Sequence, residues 1–416
     1  MDKIIIEGQN SLSGSVPISG AKNAVLPIMA AALMGKGRAT ITRVPDLRDT
    51  RTMIRLMEII GAVCEYENGT LTVDGSIVDN PEAPYELVKT MRASFYVLGP
   101  LLARFGEVRV SLPGGCAWGP RPVDFHLKGL EKLGAKITLE NGYIIARSKR
   151  LQGSEIQFEF PSVGATGNIV MAAATAAGTT IIRNAAREPE IVQLCDYLNQ
   201  MGSNISGQGT TTLIIKGVES LESADIAVIP DRIETGTFLT AGALLGEITL
   251  KDVYPHHLDS VLMKLKEAGC TIRTTADTIT ISPADSIQAV DITTAVYPGF
   301  PTDLQAQWIA LMTLARGSSM VTDTVYHDRF SHIPELNRLG ANIRVDQNTA
   351  FVRGVKNLVG APVMSTDIRA SASLIIGGLI AKGTTEVNRV YHIDRGYERI
   401  EDKFSALGAK IWRESA

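Results

Sequence analysis

The stretch "SLPGGCAWGPRPVDFHLKGL", residues 111–130, places the thiol of Cys116 among glycines and prolines, with Arg121, Asp124 and His126 close behind. Glycine and proline at this density write a loop rather than the core of a helix or strand. A thiol beside a guanidinium and a helix end ionises more readily than a buried one. Cys116 could therefore serve as nucleophile, general acid or both, and the flanking glycines would let its loop close as a lid. The alternative is a surface loop with an incidental cysteine, which is a liability for a protein to expose.

A second group of reactive residues stands at the starts of apolar segments. Lys22 and Asn23 open "AKNAV", Arg92 lies in "TMRASF", and Asp231, Arg232 and Glu234 lie in "DRIETGT". Asp303 lies in "FPTDLQAQ", and Asp367 and Arg369 in "STDIRASA". A cation at a helix N-terminus opposes the macrodipole, at a cost of roughly 0.3–1 kcal/mol. The cost is offset where an anion binds, because backbone N–H groups and the cation then converge on it. Any one such cation alone reads more readily as a solvated side chain, since Lys and Arg are mostly exposed. Lys22, Arg92 and Arg369 at equivalent places favour an anionic ligand. Asp303 and Asp367 stand where a helix cap would stand, so capping and catalysis are both open for them. Arg395, in "YHIDRGYERIEDK", is expected on a loop, and Arg399 on the surface of the helix that follows. Arg329, in "VYHDRFSHIPEL", is the counterpart of Arg395 one repeat earlier, so repeat structure and function are both open for this pair.

The elements that must position these groups repeat. A helix end, a glycine and a strand recur at Gly61, Gly134, Gly202, Gly269, Gly340 and Gly408, about 70 residues apart. Each glycine suits a helix C-cap before a hairpin, and "TLTVDG", "YIIARS", "TLIIKG" and "TITISP" supply a second alternating strand. In phase with this runs an apolar helix, a glycine and a short strand, as in "AVLPIMAAALMGKGRATITRV" and "ASLIIGGLIAKGTTEVNRV". Helices apolar nearly all round should be buried. The sixth unit ends at "GAKIWRESA" without its last strand, and the N-terminal "KIIIEG" is a strand with no helix before it. The first strand is therefore expected to complete the last unit. Six units divide into two α/β domains, residues 21–230, and residues 1–20 with 231–416, with the ligand expected in the cleft between them.

Composition excludes several classes. The 416 residues are 45% hydrophobic with a net charge of −3, which gives no bulk electrostatic case for nucleic acid or a membrane surface. No apolar run reaches the roughly 20 residues of a membrane span, and the first residues carry no signal-peptide pattern. Cys64, Cys116, Cys195 and Cys270 form no CxxC pair, which disfavours zinc ribbons and redox motifs and suits a reduced, cytoplasmic setting.

Five segments, "GAKNAVLPI", "PGGCAWGPRPVDFH", "PDRIETGTF", "TDIRASAS" and "HIDRGYERIEDK", occur in an order that resembles the enolpyruvyl transferases acting on UDP-N-acetylglucosamine. The resemblance runs over essentially the whole chain. It implies two inside-out α/β barrels of three repeats each, and transfer of the enolpyruvyl group of phosphoenolpyruvate to the sugar 3-hydroxyl with release of phosphate. It implies no metal and no organic cofactor, and leaves protein regulators unknown. By motif, Cys116 would attack phosphoenolpyruvate covalently, act as general acid and be the target of fosfomycin. Lys22, Arg121 and Arg395 resemble the phosphate-binding cations; Arg92, Arg329 and Arg369 resemble supporting ones, with Arg329 and Arg395 suited to the carboxylate. Asp303 resembles the group that holds the 3-hydroxyl and takes its proton, and Asp367 a second carboxylate near the reacting centre. Asn23 and Val325 fall on the sugar-nucleotide side, with Arg92, Arg121, Pro122, Val123, Asp124 and His126. Ser162, Val163 and Gly164, in "PSVGAT", would meet the diphosphate through backbone N–H groups. Trp118, two residues after Cys116, departs from the smaller or aliphatic residues expected there, and Arg48 stands where a basic residue could hold the lid.

Two rival functions remain at this stage. Shikimate 3-phosphate is the acceptor in the related branch, which shares fold and donor. A silent UDP-sugar-binding regulator would also keep the fold, although Cys116, Lys22 and Asp303 are all present. A protein-binding scaffold is disfavoured, since scaffolds keep their repeats alike along an open surface.

Overall fold

The computed structural model describes residues 2–112 and 123–415. These form two compact units, one spanning Gly20–Ile229 and one combining the chain up to Ser19 with the chain from Pro230 onward. They are called here the mid-chain and the terminal unit.

In each unit, helices alternate between two kinds. The mid-chain unit contains α1 (Lys22–Ala32), α2 (Arg48–Ile60), α3 (Leu98–Phe105), α4 (Asp124–Lys132), α5 (Val163–Ala173) and α6 (Pro189–Gln200). The terminal unit contains α7 (Arg232–Leu245), α8 (Asp259–Glu267), α9 (Gln305–Met312), α10 (Ile333–Arg338), α11 (Ile368–Ile380) and α12 (Ile400–Ala406). The odd-numbered helices are Ala-, Leu- and Ile-rich and buried on nearly every side: in α9 all residues from Gln305 to Met312 are buried. The even-numbered ones are amphipathic. In α2 the buried Met53, Leu56, Met57 and Ile60 recur at helical spacing.

Six four-stranded sheets, three per unit, share one strand order among the described residues. A hairpin contributes two strands, the strand after the apolar helix lies beside it, and a short parallel strand forms the far edge. In the mid-chain unit, Val63–Glu67 pairs antiparallel with Thr70–Asp74, which pairs with Arg38–Thr42, which takes Ile226–Ala227 in parallel. That last strand follows the third repeat and joins the sheet of the first, so the three repeats close on themselves. The apolar helices pack against one another within this ring and the sheets lie outside them, which is the inside-out barrel. The terminal unit closes in the same way, with Gly14–Pro17 parallel to Ile248–Lys251.

The glycines fix the phase. Gly61, Gly134, Gly202, Gly269, Gly340 and Gly408 all have positive φ, between 89° and 105°. A side chain would be strained there, and the chain turns from helix into hairpin at each. The N-terminal strand Lys3–Glu7 pairs antiparallel with Lys410–Glu414, Ile5 opposite Trp412, and completes the sixth sheet as expected. The fifth repeat also has a second hairpin strand, Thr349–Arg353, beyond the four read from sequence. Its exposed Phe351 masks the alternation.

One apolar segment departs from a simple α-helix. Arg92–Val97 is a 3-10 helix that becomes α3 only at Leu98. Pro100 has no N–H to give the carbonyl of Tyr96, so an α-ladder cannot run back through that turn.

Candidate functional site

In the terminal unit the chain approaches α9 through a single 3-10 turn, Thr302–Leu304, with Asp303 at its centre. The turn is held by a buried carboxylate: Asp323 Oδ2 accepts from Thr302 Oγ1 (2.7 Å). Asp323 Oδ1 accepts from Thr294 Oγ1 (2.7 Å) and from the backbone N–H groups of Val325 (2.9 Å) and Tyr326 (2.8 Å). Asp323 thus fixes the Asp303 turn relative to the segment carrying Val325 and, four residues on, Arg329.

Asp303 itself is clamped. Arg329 Nη1 donates to Oδ1 (2.8 Å) and Arg369 Nη2 to Oδ2 (2.6 Å). Arg329 also donates to Thr302 Oγ1 (3.3 Å). Both arginine side chains are nearly buried. Burial opposes ionisation of Asp303, but the guanidiniums of Arg369 and Arg329 outweigh it and hold the carboxyl well below the usual carboxylate range. Asp303 is therefore no helix cap. Asp367 is one: its Oδ1 accepts from the N–H groups of Arg369 (2.8 Å) and Ala370 (3.2 Å) at the start of α11. Its charge also favours ionised Arg329. His332, which burial pushes down to about 4, stays neutral beside them. Two guanidiniums and two carboxylates then nearly cancel, so an incoming dianion needs cations from elsewhere.

Arg395 ends the 3-10 helix Val390–Arg395. Its neighbour Asp394 is gripped by Arg413, Nη1 at 2.9 Å and Nη2 at 2.6 Å, from the last strand. Arg399 precedes α12 in a left-handed conformation, is exposed, and pairs with Asp402, rather than lying on the helix surface as expected.

In the mid-chain unit Lys22 is the first residue of α1 and is buried, its Nζ 2.7 Å from Asp49 Oδ2. Asp49 sits in the first turn of α2, where a helix dipole favours a carboxylate. The cation at the α1 start is thus already compensated by a carboxylate that the sequence reading did not single out. Asn23 is half-buried beside it, while Arg48, next to Asp49, is exposed.

Around α5 the groups are polar and fixed. Ser162 caps the helix, its Oγ accepting from Ala165 N–H (3.3 Å). The N–H groups of Val163 and Gly164, in the first turn, have no intrahelical acceptor. His126, on α4, is buried against Phe95 edge to face, and a Cβ added to Gly164 would lie 3.1 Å from its Nε2. Burial, with the charge of Arg92 second, pushes His126 down to about 3. Val123 and Asp124 lead into α4 and are half-buried, and Asp124 Oδ2 is 3.5 Å from Lys128 Nζ.

Cys116, Arg121 and Pro122 lie outside the described residues, as does Trp118. The described thiols are disfavoured as thiolates by burial. Burial pushes Cys64 and Cys195 up to about 12 and Cys270 to about 11. Reading the sequence missed Asp49, which pairs with Lys22, Asp323, which holds the Asp303 turn, and Asn168, whose Nδ2 meets His126 Nδ1 at 2.9 Å. Asp49 alone had a signal, a carboxylate in a first helical turn.

The fold and these clusters have relatives. The family profile described as EPSP synthase (3-phosphoshikimate 1-carboxyvinyltransferase) matches residues 6–404. The chain belongs to the enolpyruvyl transferase family. It is 58% identical over 419 positions to the UDP-N-acetylglucosamine 1-carboxyvinyltransferase of Chloroherpeton thalassium, covering 100% of this chain and 98% of the relative. It is 56% identical over 418 positions to that of Chlorobium luteolum, covering 100% and 99%. Among solved structures, the enolpyruvyl transferase NikO from Streptomyces tendae superposes with a TM-score of 0.90 at 28% identity, covering 100% of this chain and 99% of that one. EPSP synthase from Acinetobacter baumannii shares the fold at a TM-score of 0.78 and 17% identity, over 100% of both chains. Among the described residues no helix is long and apolar enough to cross a membrane.

Proposed function

We propose that this transferase moves the enolpyruvyl group of phosphoenolpyruvate to the 3-hydroxyl of UDP-N-acetylglucosamine and releases phosphate, the first committed step of peptidoglycan synthesis, in the cytoplasm. One observation carries the choice of acceptor: whole-chain identity of 56–58% to relatives named for the sugar nucleotide, against 17% to an EPSP synthase of the same fold.

The chemistry uses what each unit offers. A general acid, assigned to the Cys116 thiol, protonates the methylene carbon of phosphoenolpyruvate and leaves an electron-poor C2. The sugar 3-hydroxyl oxygen bonds to C2. Phosphate then leaves as the C2–O bond to phosphorus breaks, and the methyl carbon returns one proton to restore the C=C bond. Asp303 is ionised at any working pH, so it orients the hydroxyl by accepting its hydrogen bond. A carboxylate of such low basicity is a poor base towards a free alcohol. It becomes adequate as the new C–O bond forms, because the attacking oxygen then turns strongly acidic. Lys22, Arg121 and Arg395 are assigned to the phosphate. Arg92, Arg329 and Arg369 support them, and Arg329 and Arg395 are assigned to the carboxylate. Asp367 is assigned to the electron-poor centre. Asn23, Val325, Val123, Asp124, Pro122, His126 and the Ser162–Gly164 turn are assigned to the sugar nucleotide.

The test is phosphate release from phosphoenolpyruvate with UDP-N-acetylglucosamine or shikimate 3-phosphate as acceptor, for the native chain and Cys116→Ser. Release with the sugar nucleotide alone, lost in the variant, is the expected result. Release with shikimate 3-phosphate would overturn the acceptor. Binding of the sugar nucleotide without release would point to a silent regulator.

A further inference from the structure

Asn168, fully buried on α5, makes three hydrogen bonds that leave its amide one orientation. Its Oδ1 accepts from Gly99 N–H (2.8 Å). Its Nδ2 donates to Phe95 O (3.0 Å) and faces His126 Nδ1 (2.9 Å). A flipped amide would set its oxygen against the Phe95 carbonyl and its NH2 against the Gly99 N–H, two repulsive contacts in a dry site. Nδ2 is therefore the donor, and Nδ1 of His126 must be the acceptor. A neutral imidazole whose Nδ1 accepts carries its proton on Nε2.

That Nε2 has no partner among the described residues, and His126 is only 8% exposed. It is aimed at the start of α5, within 3.1 Å of where a Gly164 side chain would begin. The first-turn N–H groups and the positive end of an 11-residue helix meet there. Nε2–H and the first-turn N–H groups are donors, beside the Ser162 hydroxyl that caps the helix. Among the described residues, the charge of Arg92 acts on the ring, and Asp124 lies two residues before it on α4.

We propose that Asn168 is a positioning residue that locks His126 in the Nε2–H form, so that His126 and the α5 N-terminus together bind an anionic diphosphate. This rests on the sugar-nucleotide reading above for the identity of the ligand and adds how the site recognises it. A fixed neutral donor prefers an acceptor oxygen without adding a charge that varies with pH. It also explains the glycine, since any side chain at position 164 would crowd Nε2.

Long-range nitrogen–proton spectra of the histidine-labelled full chain test the lock directly. The sequence has six histidines, and His126→Gln identifies the signal. At neutral pH a protonated Nε2 and bare Nδ1 are expected. A proton on Nδ1, or an imidazolium, would overturn the proposal. Adding UDP should shift the Nε2 proton and slow its exchange, and no response would overturn the binding role.

Asn168→Asp supplies the inverse lock. A carboxylate at this place accepts from Nδ1–H, turning Nε2 into an acceptor that faces the diphosphate. KM for UDP-N-acetylglucosamine should rise about 10- to 100-fold at pH 8.5, more than kcat falls. It should recover towards pH 6 as the ring protonates and regains Nε2–H. A variant KM that stays at the native value from pH 6 to pH 8.5, or a fall in kcat alone, would reduce Asn168 to packing. Should the variant not fold, the native spectra with and without UDP still decide. No turnover with the sugar nucleotide, alongside a clear response of His126 to UDP, would sink the proposed reaction and leave the diphosphate site standing.

Discussion

Arg369 Nη2 lies 2.6 Å from Asp303 Oδ2, although the two residues belong to different repeats of the terminal unit. With Arg329 on the other oxygen, the carboxylate has lost its freedom to rotate. Asp303→Ala should leave two nearly buried guanidiniums facing each other, at a cost of about 3–5 kcal/mol, and lower turnover roughly 10²- to 10⁴-fold. Thermal melts and phosphate release measure the two effects separately. A variant that loses activity without losing stability would show that the clamp is not structural.

The same clamp sets an acid limit. The folded carboxyl is held well below its unfolded value of about 3.9, so its contribution to stability is fully present above that value. It is lost as pH falls through the folded value. In Asp303→Asn the decline in stability between neutral pH and about pH 2 should be shallower than in the native chain. Urea midpoints across that range give the slopes, and parallel slopes would rule out Asp303 as a source of acid lability.

Lys22 and Asp49 should act as one unit. Asp49→Ala leaves a buried ammonium without its carboxylate, so its effect on phosphoenolpyruvate KM should approach that of Lys22→Ala. The double variant should be scarcely worse than either single one, a coupling of at least about 1 kcal/mol. Additive losses would mean that Asp49 serves only the start of α2.

The contrast between these residues and the fold shows what a sequence can carry. Gly61 and its five equivalents announced a left-handed cap because only one residue type suits it, and the 70-residue spacing did the rest. The strand Lys3–Glu7 could be paired with Lys410–Glu414 because one unit lacked a strand and another strand lacked a unit. Lys22, Arg369 and Asp303 were visible as charges interrupting apolar helix starts. Most of the groups that hold the site residues were not, since Asp323 and Asn168 are ordinary residue types whose role is set by which repeat packs beside them. Asn168, in the middle of an apolar helix, is a polar residue in the core. Without the carbonyl of Phe95 and the ring of His126 in view it carries no message.

Thiol chemistry should be confined to one site. Cys64, Cys195 and Cys270 are pushed to about 11–12 by burial, so at pH 7.5 their reactive thiolate is scarce and shielded. Iodoacetamide on the folded chain should add one equivalent, on Cys116, and none to Cys116→Ser, as peptide mass mapping would show. Prior phosphoenolpyruvate should slow the reaction. Equal labelling of all four cysteines would remove the chemical distinction on which the assignment of Cys116 rests.

The N-terminal strand offers the last test, because its place in the sheet is unusual. Lys3–Glu7 is not an edge: it pairs with Thr384–Asn388 on one side and Lys410–Glu414 on the other. Ile4 and Ile6 are fully buried in the core of the terminal unit. Removing residues 1–8 would strip two ladders of hydrogen bonds at once. It would also expose a row of N–H and C=O groups on each neighbour, a template for aggregation. The two isoleucines alone account for roughly 1.5–3 kcal/mol each of buried apolar surface. Total stability of a domain is only about 5–15 kcal/mol, so the truncated chain should melt far below the native one or fail to stay in solution. A synthetic peptide of residues 1–10 added during refolding should restore part of the loss by filling the gap. Native-like melting of the truncated chain would show that the closing strand is dispensable and that the sixth sheet stands on three strands.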